Sequence, residues 1–115
     1  MNYEEMSDHE IDITVANLIG VKIEHIEDDI VFVYTYGECE VGAFNPCNNP
    51  SDAWPIIVEN EISLISPEAN GSKAWRAGIF DLELVIKRPI NSYNANPLRA
   101  AMIVFLMMKE NQNEQ

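Results

Sequence analysis

Asn96-Pro97-Leu98-Arg99-Ala100-Ala101-Met102-Ile103-Val104-Phe105-Leu106-Met107-Met108 is the run that decides this fold. Asn96 is a good N-cap residue and Pro97 suits the first helical position, so the run predicts a helix from about Pro97 to Lys109. Leu98, Ala101, Met102, Phe105 and Met108 form one apolar stripe, yet Ile103, Val104 and Met107 occupy the other sides. A helix apolar almost all round must be covered from several directions. A thick single-chain core is the simpler cover, and a homodimer interface on the spare face is the alternative.

Two more helices are expected ahead of it. Ser7 with Glu10 three residues on reads as a capping box, followed by Ile11, Val15, Leu18 and Ile19 at helical spacing and Gly20 as a stop. This helix, about Asp8 to Ile19, is read as turning His9, Asp12 and Asn17 to solvent. The second spans about Ser51 to Asn60, with Ser51 or Asp52 as cap, Pro55 in its opening turn, and Trp54, Ile57 and Val58 facing inward.

Strands fill the space between. Val21 to His25 alternates like an edge strand, Glu27-Asp28-Asp29 turns the chain, and Ile30 to Tyr36 is apolar on both faces, as in a central strand. Gly37-Glu38 turns again and Glu40 to Phe44 returns. Ile62 to Ile65 is answered by Ala74 to Ile79 across a loop whose Asn70-Gly71 pair suits a tight hairpin. Leu82 to Lys87 adds a strand that Pro89 ends, and Asn91 to Asn96 reads as a polar loop. The expected fold is α+β: a mostly antiparallel sheet of about four to six strands, sandwiched between helical layers with three main helices. The 115 residues make a single domain, 1–115, with flexible tails at 1–6 and 110–115.

With 47% apolar and 23% charged residues the chain folds, and no apolar run reaches membrane-spanning length. The acidic N-terminus lacks the layout of a signal peptide, which makes the bacterial cytoplasm the expected location. Cys39 and Cys47 form no disulfide framework, and His9, His25 and the cysteines lack metal-ligand spacing, so neither metal nor cofactor is expected. No nucleophile-base motif or carboxylate pair marks a reaction, so the protein is read as non-enzymatic.

Charge is unevenly placed. Of nineteen acids, eleven fall in residues 1–40 against Lys22 alone, within a net charge of −12. Phosphate binding to DNA or RNA is disfavoured. Glu24, Glu27, Asp28 and Asp29 become candidate contacts for a basic protein surface. The second unusual segment is Phe44-Asn45-Pro46-Cys47-Asn48-Asn49-Pro50-Ser51-Asp52-Ala53-Trp54-Pro55. Three Asn and two Pro in the six residues 45–50 exceed what a plain connection needs, and the following helix N-terminus is an anion-binding type of place.

Val15 to Gly20, Phe44 to Pro50, Asp52 to Ile57 and Asn96 to Leu106 together resemble the NinX family of lambdoid-type phages, over about Ser7 to Met108. The order of elements is similar to the phage "ABA sandwich" domain, which implies a sheet between helical layers. The resemblance implies a small accessory protein of temperate phages and carries over no catalytic residues. Asn45, Asn48, Asn49, Trp54, Pro55, Trp75 and Arg99 are the matching positions able to shape a site. The leading expectation is therefore a binding protein acting on a host or phage protein in the infected cell. The alternative is a small-ligand, nucleotide-like binding module that uses Asn45, Asn48 and Asn49, with stacking on Trp54 or Trp75.

Overall fold

The computed structural model describes residues 2–35, 40–80 and 90–113. Among these residues there are four helices: α1 (Asp8–Ile19), α2 (Pro50–Glu59), the single turn α3 (Pro67–Asn70) and α4 (Pro97–Asn113). Six strands accompany them: β1 (Ile23–Glu27), β2 (Ile30–Thr35), β3 (Glu40–Phe44), β4 (Ser63–Ile65), β5 (Trp75–Ile79) and β6 (Ile90–Asn94). The strands form two antiparallel three-stranded sheets, β1-β2-β3 and β4-β5-β6. The expected α+β composition holds, but the one larger sheet does not.

The reason lies in α4. Ala100 to Leu106 are seven consecutive residues, each no more than 2% exposed. One sheet face can cover only one side of such a helix. Here β4, β5 and β6 cover one side, while α1 and α2 pack on another and α1 also touches β2. Val31, Val33 and Phe44 of the first sheet join Ile11 and Val15 of α1 and the α4 residues in one core. Helices therefore link two sheets, where a sheet between helical layers was expected.

Local chemistry explains the boundaries. Ser7 and Glu10 make the expected capping box, and Gly20 closes α1 at φ 82°. Leu18 and Ile19, read as inward, are 41% and 39% exposed, and Asp12, read as outward, is 3% exposed. The inward face of α1 is thus Ile11, Asp12, Val15 and Ala16. α2 starts one residue early because Asn49, not Ser51 or Asp52, is its N-cap. Ala53, Ile56 and Ile57 are its buried side, whereas Trp54 is 61% and Val58 54% exposed. Pro55 consequently lies past the first turn, and its absent N–H leaves the Ser51 carbonyl without that helical partner.

β2 is central in its sheet, as expected, but only alternate residues are deeply buried: Val31 and Val33, not Phe32 or Tyr34. Asp28 and Asp29 form the two-residue turn with φ of 51° and 62°, the left-handed conformation that twists a hairpin correctly. The Asn70-Gly71 hairpin is replaced by α3, capped by Ser66 and closed by Gly71 at φ 75°. Residues 91–94, read as a loop, pair with β5 from Asn94 opposite Trp75 to Ile90 opposite Ile79. Their polar composition hid a strand whose alternate members, Ile90 and Ser92, turn inward. Residues 3–5, read as part of a tail, form a 3-10 turn capped by Asn2, and α4 runs to Asn113 rather than Lys109. The turn read at Gly37-Glu38, Cys39 and the strand read at Leu82 to Lys87 lie outside the described residues.

Truncating Phe105 to Ala should cost about 3–5 kcal/mol, since neighbours on several sides cannot all collapse into the void. Trp54→Ala should stay within about 0.5 kcal/mol as a surface change. Urea unfolding of both variants checks the assignment of inside and outside.

Candidate functional site

The Asn-rich loop sits where α1, α2 and the start of α4 converge, and three aspartates organise it. Asp52 of α2 accepts from the Asn45 backbone N–H at 2.9 Å, and the buried Asp12 of α1 accepts from the Cys47 N–H at 3.2 Å. Asp8, one turn before Asp12, accepts from the Asn48 side-chain amide at 3.0 Å. Asn49 turns its own oxygen to the Ser51 N–H at 3.0 Å and so starts α2. The Asn45 carbonyl accepts from the Asn48 and Asn49 N–H groups at 3.0 and 2.7 Å, which winds the loop into a tight turn.

Asn96 ties the loop to the last helix. Its Nδ2 donates to the Cys47 carbonyl at 2.6 Å and to Asn48 Oδ1 at 3.2 Å. Its Oδ1 accepts from the Leu98 N–H at 3.0 Å, so one amide caps α4 and grips the loop together. Three residues on, Arg99 donates to Asp8 Oδ1 and to the Met6 carbonyl, each at 2.6 Å. The Arg99 side chain is only 13% exposed while that of Asp8 is 41% exposed, so the ion pair is shielded on the arginine side and open to water on the other.

Burial sets the chemistry of the remaining pair. The Asp12 carboxyl is pushed up to about 6, chiefly because it is removed from water, against the hydrogen bonds that Cys47 gives it. The Cys47 thiol is pushed far up, first by burial and then by the Asp12 charge beside it. A thiol so held is not a nucleophile at neutral pH. Among the described residues no three His, Cys, Asp or Glu side chains are grouped to hold a metal ion.

The structure thus brings Asn45, Asn48 and Asn49 together and leaves the tryptophans elsewhere. Trp54 projects from α2 into solvent, and the half-buried Trp75 begins β5 in the other sheet. An open cleft of ≈ 310 Å³ lies between α2 and the first sheet, lined by residues including Val33, Phe44, Pro55 and Glu59, and by neither tryptophan nor Asn45, Asn48 or Asn49. Glu24, Glu27, Asp28 and Asp29 are all exposed on the β1-β2 hairpin. There Glu24 bonds His25, whose other ring nitrogen is 3.7 Å from Glu27, and His9 Nδ1 meets the Asp29 carbonyl at 3.1 Å.

Sequence reasoning missed Asp12 and underrated Asn96 and Arg99. Asp8 and Asp12 are four residues apart and share a helix face, a spacing that could have flagged a joint role. Arg99, one of seven bases against nineteen acids, is among the positions the family resemblance offers for shaping a site, but the sequence does not show that Asp8 is its partner.

The family model described as "Bacteriophage P22, NinX" matches residues 2–109, and the chain belongs to that family. No curated protein matches the chain. Among the described residues, no helix is long and apolar enough to cross a membrane.

Asp12 makes stability depend on pH in a definite direction. Its folded value of about 6 exceeds the ordinary 3.8, so the fold prefers the protonated form. Its contribution is fully present below 3.8 and is lost as pH rises through about 6. The size is about 3 kcal/mol from a shift of roughly two pH units. Asp12→Asn, which keeps an acceptor for the Cys47 N–H, should flatten the melting temperature against pH across that window. Asn96→Ala removes a cap and the partner of the Cys47 carbonyl, and should cost about 2–3 kcal/mol in urea unfolding.

Proposed function

We propose that this NinX-family chain is a non-enzymatic binding protein that engages a basic surface of a host or phage protein in the infected cell. The contact surface in this reading is the β1-β2 hairpin with its acidic turn. The observation that carries it is the exposure of Glu24, Glu27, Asp28 and Asp29 on one hairpin, with the large apolar side chains of Ile26 (47%) and Ile30 (41%) exposed among them. Acids around an apolar patch suit a partner with lysines or arginines around a complementary one.

Two further features support this reading. No lysine or arginine is bridged to these four acids among the described residues, so their field is not neutralised locally. The ladder pair Glu27–Ile30 closes their turn, which sets Asp28 and Asp29 at positive φ at the tip of the hairpin. Among the described residues β1 is an edge strand, so its outer backbone groups stand next to the acids. Such an edge accepts a partner strand, with the acids selecting for positive charge.

Partner capture from phage-infected cells should weaken steeply as salt rises, because exposed charge pairs are screened. The quadruple variant Glu24→Gln, Glu27→Gln, Asp28→Asn and Asp29→Asn should lose the partner at low salt while melting no earlier than the parent. Capture that is indifferent to both salt and the variant would remove the hairpin from consideration.

A further inference from the structure

Arg76 is the one cation of β5, and its surroundings are unusual. Its guanidinium lies 4.8 Å from the Phe80 ring centre and 5.9 Å from that of Tyr93. Tyr93 stands directly across the ladder from Arg76, so the pair shares one face of the second sheet. Phe80 is held over the strand at Gly78, where an added Cβ would meet the ring edge at 2.9 Å. The two rings are 41% and 46% exposed, so this cluster stands at the surface.

Stacking on rings uses the face of a guanidinium and leaves its in-plane N–H groups free. Among the described residues no salt bridge engages Arg76, and its Nε, which is buried, has no hydrogen-bond partner. That is unexpected in a chain with nineteen acids and seven bases. Arg99 shows the contrasting case, with Asp8 and a backbone carbonyl both taken up.

We propose that Arg76, Phe80 and Tyr93 form a binding site for an oxyanion carried on an aromatic body. The outer nitrogens of the guanidinium, Nη1 and Nη2, receive two oxygens of a carboxylate or phosphate in parallel, and the exposed rings contact the flat part of the ligand. The site is separate from the acidic hairpin and does not rest on the protein-binding reading.

Isothermal titration of the intact protein with benzoate, phenyl phosphate and inorganic phosphate tests the proposal. At least one aromatic probe should bind, and more tightly than inorganic phosphate. Preference between benzoate and phenyl phosphate identifies the oxyanion as carboxylate or phosphate ester. Arg76→Gln should weaken the better probe tenfold or more, Arg76→Lys should weaken it less than Gln does, and Tyr93→Ala should erase the advantage over inorganic phosphate. Circular dichroism melts establish that each variant is folded, and the Tyr93 variant decides the matter if Arg76→Gln is not. Absence of binding by both aromatic probes at millimolar concentration, or unchanged binding in folded Arg76 and Tyr93 variants, overturns the site.

Discussion

A helix with no polar side is the constraint from which this architecture follows. The middle of α4 must be hidden all the way round, and burying seven successive residues removes apolar surface from water on every side of the helix. Ala100 and Ala101 let neighbours approach its first turns closely, while Met102, Ile103 and Phe105 fill the wider spaces. Once one flank is taken by β4-β5-β6, the opposite flank needs α1 and α2, and α1 in turn brings the first sheet. The split into two sheets is a geometric response to one sequence.

Fixing the start of that helix requires polar contacts, because apolar packing alone has little direction. Asn96 and Arg99 supply them. Between them they accept or donate to α4's own backbone, the Asn-rich loop, α1 and residues 3–6. Buried polar networks of this kind specify one arrangement over close competitors when their members are satisfied. Asp12 is the exception in character, a carboxyl in an apolar setting whose charged form the fold disfavours. The Asn-rich segment therefore has a clear architectural duty, whatever else it touches.

The sequence was most readable where a local rule sufficed. Ser7, Glu10 and Gly20 mark α1 at both ends, Asn96 and Pro97 mark the start of α4, the β1-β2 pairing follows from alternation and the acidic turn, and β4 pairs with β5 as read although α3 stands in place of the hairpin turn. It was least readable where a distant partner decided the outcome. Ser92 and its neighbours look like loop residues until β5 offers them a ladder. Asp12 looks like solvent-facing polarity until the Cys47 N–H arrives from thirty-five residues away. Trp54 misled in the opposite sense, since a large aromatic usually packs inward and here the buried stripe of α2 falls on Ala53, Ile56 and Ile57. Of the candidate sites, the acidic hairpin was legible as charge, whereas the Arg76 cluster was not, because strand pairing brings Tyr93 to Arg76 and Phe80 folds back over Gly78.

Arg99 also takes the carbonyls of Tyr3 and Glu4 at 3.4 Å, and the Tyr3 hydroxyl meets Glu110. The 3-10 turn and α4 are thus neighbours in space although both sheets lie between them in the chain. Bringing α1 and α4 together closes a long loop, and the contacts that reward it are non-local, so covering the core face of α1 is a slow step of folding.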